Sequence, residues 1–212
     1  MNNTVPYPRV CAHRGLSALY PENTLPAFAA AIDAGAQEIE FDLRPAPGGR
    51  IIVRHDPIQG RVPEDHLTFE DVLRAFARRV VMNIHIKTPE PVGSIVEAID
   101  RHGCREYVYV TGDAAVMEAA LALAPDIERC CLEGNKDYTI VKHAIKYRAG
   151  KVQMRAQFFT QEMIAEAHAH GIRCNIFYTD DPAWAREFFA MGIDTVLTND
   201  CVKIRKVIRE AS

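Results

Sequence analysis

Apolar positions along the chain follow two rhythms that alternate. Leu25, Phe28, Ala29 and Ile32 sit at the i, i+3, i+4, i+7 spacing of an apolar helix stripe. The same spacing returns at Phe69, Val72, Leu73, Phe76, at Val92, Ile95, Val96, Ile99, at Met117, Ala120, Leu121, Ala124 and at Ile204, Val207, Ile208, Ala211. A looser version runs through Trp184, Phe188 and Met191. Five helical segments are expected to end at Gly35, Gly103, Gly150, Gly171 and Gly192, since glycine takes the left-handed closing conformation at little cost. Thr68 with Asp71 three residues on, and Asp181 before Pro182, mark helix starts.

Short apolar runs fill the intervals, at residues 10–13, 39–43, 82–86, 107–110, 129–132, 152–154, 174–178 and 196–198. Strands that alternate with helices pair in parallel, because each helical crossover returns the chain in the same direction. Eight such units predict an α/β fold of the closed (β/α)8 TIM-barrel type rather than an open doubly wound sheet, and no G-x-G-x-x-G follows the first strand. Residues 51–54 break the alternation. Gly48 and Gly49 tie them closely to the second strand, so they are read as a small hairpin above the barrel rim that returns His55 towards Asp42.

Composition adds limits. The 212 residues are read as one domain, 1–212, and a hydrophobic share of 48 % with 25 % charged residues is ordinary for a globular chain. A formal net charge of -3 without any block of like charges argues against a nucleic-acid surface. The N-terminus has neither a basic start nor an apolar run, and no stretch approaches the roughly 18 apolar residues of a membrane span; a cytoplasmic location is the expectation. No feature specifies an oligomeric state. Six cysteines (Cys11, Cys104, Cys130, Cys131, Cys174, Cys201) lack metal-ligand spacing and read as buried free thiols.

Barrel enzymes place their chemistry at the C-terminal ends of the strands. Here those ends are polar: His13-Arg14-Gly15 after the first strand, Glu40 and Asp42 on the second, His55-Asp56-Pro57 after the hairpin, and His85 and Lys87 on the third barrel strand. Strand alternation puts Glu40 and Asp42 on one face, and likewise His85 and Lys87, while Ile39, Phe41, Ile84 and Ile86 face the helices. Two carboxylates on one inward face repel unless a proton or cation lies between them, and a divalent metal suits oxygen donors. Tyr109, Thr111, Glu133, Arg155, Tyr178 and Asn199 are expected near the rim, either reading a substrate's alcohol group or touching no ligand. His66, His102, His143, His168 and His170 receive no role.

Four blocks in this order resemble the glycerophosphodiester phosphodiesterase family: AHRG (residues 12–15), PENT (21–24) with a helix ending in DAGA (33–36), EIEFDLR (38–44) and VRHDP (53–57). The likeness is strong over about the first quarter of the chain and weaker beyond, where MGIDTVLTND (191–200) looks like the family's last strand. The resemblance implies metal-dependent hydrolysis of a small phosphodiester to an alcohol and a phosphomonoester, sn-glycerol 3-phosphate for a glycerophosphodiester. It implies His13 and His55 as general acid and base, Glu40 and Asp42 as ligands of one divalent metal, magnesium or calcium, and Arg14 and Lys87 as phosphate contacts. Glu22 and Asn23 are expected to orient their loop and cap the first helix.

The pattern departs from the family at one ligand. Where the family carries a third acidic residue two positions before the lysine, this chain has His85. Three readings stay open: His85 ligates, water replaces the missing ligand, or the metal is held poorly. A neutral ligand also moves preference towards manganese, iron, cobalt or zinc. The insertion before the third barrel strand is shorter than the resemblance implies, leaving residues 61–67 for a cap and a more open alcohol side. Two other activities fit the same residues: a phosphodiester lyase or transferase that releases a cyclic phosphate, and a degenerate barrel that binds phosphodiesters without turnover. A phosphate-binding isomerase or aldolase barrel would want a glycine-rich loop after strands seven and eight, and none is present.

Overall fold

A computed structural model describes residues 6–211. Residues 1–5, on which much of the reading of the N-terminus rests, lie outside them, as does residue 212. The strands are β1 (Arg9–His13), β2 (Glu38–Pro45), β3 (Ile51–Val53), β4 (Val81–Ile86), β5 (Val108–Gly112), β6 (Glu128–Cys131), β7 (Lys151–Arg155), β8 (Arg173–Phe177) and β9 (Thr195–Thr198). The helices are α1 (Leu25–Asp33), α2 (Phe69–Phe76), α3 (Val92–Arg101), α4 (Ala114–Leu123), α5 (Ile140–Lys146), α6 (Gln161–Ala169), α7 (Pro182–Ala190) and α8 (Cys201–Ala211). Sheet order is β1-β9-β8-β7-β6-β5-β4-β2-β3, and β1 also pairs with β2. That pairing closes eight parallel strands into the predicted TIM barrel. β3 pairs antiparallel with β2 outside the ring, with Leu43 opposite Val53, as the hairpin expected from Gly48 and Gly49.

The outward residues of the strands pack on the helix stripes. Ile39, Phe41, Ile84 and Ile86 are buried together with Phe28, Phe69, Val72 and Phe76 from α1 and α2. Local signals agree with this packing. Thr68 and Asp71 form the capping box of α2, and Asp181 accepts from the Ala183 N–H ahead of Pro182. The expected turn at Gly150 is a correction: Arg148 takes the positive φ of 50°, and Ala149 N–H donates to the Ala144 carbonyl. α5 closes two residues early because its last turn ends at Tyr147, so the left-handed position falls on an arginine. Gly15 does need to be glycine, since at φ +83° a Cβ would sit 2.7 Å from the Ala27 backbone. This tight turn lets β1 pass directly under α1 after presenting His13 and Arg14.

Inside the ring the lowest layer is ionic. Glu38 accepts from Arg9 Nη1 at 3.0 Å and from Tyr109 Oη at 2.7 Å, and Lys151 Nζ donates to Tyr7 Oη at 2.8 Å. Tyr109 was expected at the rim, but β5 runs on to Gly112, so Tyr109 lies near that strand's entry and is fully buried. Thr111 is a second correction, since it donates to Asn83 in the buried layer above. Removing one partner of a buried pair leaves an uncompensated charge. Glu38→Ala is therefore expected to lower stability by about 3–5 kcal/mol, measured by urea unfolding. A loss under about 1 kcal/mol, the size of an exposed pair, would show the layer to be well hydrated.

All six cysteines are free and buried, as expected. Burial pushes the Cys104 and Cys131 thiols up to about 11, which keeps them protonated and unreactive near neutral pH. Among the described residues no helix is long and apolar enough to cross a membrane.

Candidate active site

The C-terminal mouth of the barrel holds a cavity of about 190 Å³, and it collects every residue that the sequence analysis placed in the site. His13, Arg14, Glu40, Asp42, His55, His85 and Lys87 all line it. They come from three neighbouring strands, β1, β2 and β4, together with the hairpin. Register explains the convergence: His13 lies beside Glu40 on β2, and Asp42 lies beside His85 on β4.

His13 and His55 are each anchored through Nδ1. His13 Nδ1 lies 2.8 Å from Asn199 Oδ1, and Asn199 Nδ2 donates to Asp180 Oδ2 at 3.0 Å. The second contact fixes the amide orientation, so Asn199 presents its carbonyl oxygen and His13 Nδ1 must donate. His55 Nδ1 lies 2.9 Å from Asp56 Oδ1, an acceptor-only carboxylate, and so also donates. The hydrogen bond from His55 holds the exposed Asp56 carboxyl below its ordinary value. In each ring Nε2 is left to exchange a proton, and that of His13 is 4.0 Å from Glu40 Oε2. Phe177 packs edge-on against the His13 ring, and Tyr178 stacks on it at 5.8 Å.

Asp42 is the hub of the charged group. Its Oδ2 accepts from Asn23 Nδ2 at 3.0 Å and lies 3.2 Å from Arg14 Nε. Its Oδ1 faces Lys87 Nζ at 2.6 Å and His85 Nδ1 at 3.2 Å. Burial alone would raise the Asp42 carboxyl, but His85 and Lys87 outweigh it and hold it well below the carboxylate range. Burial likewise works against a charged His85, yet its contacts with Asp42 and Glu40 raise it above an ordinary imidazole. Arg14 is held by Glu22 at 2.8 Å, and its backbone N–H donates to Glu40 Oε2 at 3.1 Å.

Ligand atoms of Glu40, Asp42 and His85 all lie within 4.8 Å of one another. Despite its near cations, Asp42 Oδ1 accepts no hydrogen bond of good geometry, so a buried carboxylate oxygen is left short of partners. Two carboxylate oxygens and one imidazole nitrogen facing a common point suit a divalent cation. A second His/Cys/Asp cluster, His168, Cys174 and Asp194, differs in kind: both Asp194 oxygens already accept hydrogen bonds, Oδ1 from Arg173 and Oδ2 from the Cys174 N–H, with His168 Nε2 at 2.9 Å.

Several expectations need correction. Asn23 does not cap α1: Thr24 does, accepting from Ala27 N–H, while Asn23 at φ 57° turns inward to grip Asp42. PENT therefore splits its work, with Glu22 on Arg14, Asn23 on the second strand and Thr24 on the helix. Asn199 is occupied with His13 and Asp180, and Glu133 accepts from Ala114 N–H at the start of α4, so neither is a free reader of an alcohol. Tyr178 is exposed beside His13. Arg155 alone of the six expected rim residues lines the cavity, with Leu132, Asn135, Gln153 and Phe177, which the sequence analysis did not single out. Strand alternation from Lys151 would have placed Gln153 inward.

Comparison with known proteins agrees with this class of site. Residues 13–74 match the model of the Glycerophosphoryl diester phosphodiesterase family. Over that segment the chain is similar to that family. A glycerophosphodiester phosphodiesterase of Caldanaerobacter subterraneus subsp. tengcongensis is 25 % identical over 139 residues, covering 64 % of this chain and 56 % of that protein. One from Bacillus altitudinis is 46 % identical over 48 residues, or 23 % of this chain and 20 % of that protein. These matches thus span less than two thirds of the curated relatives. The fold is shared throughout: an Oleispira antarctica phosphodiesterase, solved in complex with the product sn-glycerol-3-phosphate, superposes with a TM-score of 0.86 at 20 % identity, covering 96 % of this chain and 97 % of that one.

Proposed function

We propose that the protein hydrolyses a glycerophosphodiester, or a closely related phosphodiester, to an alcohol and a phosphomonoester. The observation that carries this reading is that His13 and His55 line one cavity, each pinned at Nδ1 by an acceptor and each left with Nε2 to exchange a proton. One deprotonates the attacking water and the other protonates the departing alcohol oxygen. His13 and His55 are the pair, and proton exchange with solvent returns each to its starting state after turnover. Arg14 and Lys87 offset charge on the phosphoryl oxygens. Glu40, Asp42 and His85 would hold one divalent metal. When bound, such a metal supplies Lewis-acid stabilisation of negative charge at phosphorus. The name of the Caldanaerobacter relative and the product in the Oleispira structure support the substrate class.

The test is a screen of glycerophosphodiesters with magnesium, calcium, manganese and zinc, followed by phosphorus NMR. We expect a phosphomonoester, with turnover abolished by chelation and restored by one of these metals. A persistent cyclic phosphate would replace hydrolysis by transfer to a substrate hydroxyl. Thermal stabilisation by the esters with no turnover under any metal would leave a binding protein.

A further inference from the structure

Phosphate chemistry occupies one side of the mouth only. His13, Asp42 and Lys87 come from β1, β2 and β4, which are consecutive around the ring. β7 lies four strands from β2 in either direction round the eight-membered barrel, so it forms the facing wall. That wall carries a single charged residue among the cavity's lining, Arg155 at the end of β7. Lys151, Gln153 and Arg155 share the inward face, and Gln153 lines the same cavity.

Arg155 is set in place by its backbone. Its N–H donates to Asn135 Oδ1 at 2.8 Å, and Asn135 Nδ2 is held by the Leu132 and Gln153 carbonyls. Gln153 Oε1 accepts from Asn83 Nδ2 at 3.1 Å, which directs its own amide donors away from the buried layer. The Arg155 guanidinium, in contrast, has no hydrogen bond or ion pair among the described residues. Arg14, Lys87 and Lys151, the cations nearest it in role, all have partners. Among the described residues, the carboxylates lining the cavity, Glu40 and Asp42, are on the opposite wall.

Arg155 is exposed at the cavity mouth, and an unpaired guanidinium there repels a cationic ligand and rewards a planar anion with two hydrogen bonds. We propose that Arg155 is an anion subsite for the alcohol portion of the substrate. The preferred phosphodiester then carries a second negative group, a carboxylate or phosphate, on its leaving alcohol. This inference rests on the hydrolytic reading for what the subsite is used for, although not for its existence. Esters with purely cationic alcohols are disfavoured, because their ammonium meets the Arg155 charge with no carboxylate lining that wall to offset it.

Glycerophosphoserine and glycerophosphoethanolamine differ by one carboxylate on the alcohol and form the matched probe. We expect kcat/KM to favour the serine ester by about tenfold or more, mainly through KM. Arg155→Gln is expected to bring the ratio near one, and Arg155→Lys to keep part of it. Calorimetric binding of both esters to His13→Ala reads the same contact without turnover. Equal values for the two esters in the wild type overturn the subsite, as does a preference that survives Arg155→Gln. An equal loss on both esters in Arg155→Gln also overturns it, because Arg155 would then serve the shared phosphate. A binding preference that depends on Arg155, with neither ester cleaved, supports the subsite and removes hydrolysis instead.

Discussion

Replacing either His13 or His55 by alanine is expected to lower kcat by roughly 10²- to 10⁴-fold, the range of a positioned general acid or base. KM should change little, since Arg14 and Lys87, which meet the phosphate, and Glu40 and Asp42, which would hold the metal, are untouched. The two variants should also differ from each other in their pH profiles. If His13 and His55 divide the acid and base roles, each substitution removes a different limb of a bell-shaped kcat/KM curve. Activated esters sharpen the distinction: a good leaving group does not need protonation, so only the variant lacking the acid is rescued by it. Full activity in either variant would sink the two-histidine mechanism.

His85→Glu should strengthen magnesium binding on the order of 10- to 100-fold, because ligand charge count is a main determinant of affinity for hard cations. In the metal-free protein a third carboxylate beside Glu40 and Asp42 adds like-charge repulsion, so thermal stability should fall. Added magnesium should then raise it by more than in the wild type. Isothermal titration with magnesium and manganese on both proteins gives the affinities, and the order of metals gives the selectivity. A magnesium affinity and activity indistinguishable from the wild type would mean that His85 packs beside the metal without binding it. Such a result would favour water at the third position, one of the three readings the sequence leaves open.

Much of the architecture was legible because two periods are hard to confuse. The alternating inward and outward positions of β2 and β4 placed Glu40 and Asp42 on one face, and likewise His85 and Lys87, and all four line one cavity. The hairpin was legible from Gly48 and Gly49 next to an extended run too close to the second strand for a helix. What stayed illegible depended on strand length or on distant chain. Tyr109 was placed at the rim because its strand was expected to end at Val110; two more residues sink it into the ionic layer. Arg148 replaces Gly150 at the end of α5 because nothing local marks an arginine as left-handed. The capping task falls to Thr24 and not to Asn23, since either can cap a helix and only the position of Asp42 decides between them. The Asp180–Asn199–His13 chain could not be read at all, because its members meet only when β9 lies beside β1.

That last meeting joins chemistry to topology. The segment that carries the family motifs, residues 13–74, ends long before the residue that orients its first histidine. A half-barrel made from the first strands would own both imidazoles and both carboxylates, yet the His13 ring would lack its acceptor and spin among tautomers. The seam between first and last strand therefore acts as a latch, and the proton-transfer geometry exists only once the ring has been fastened.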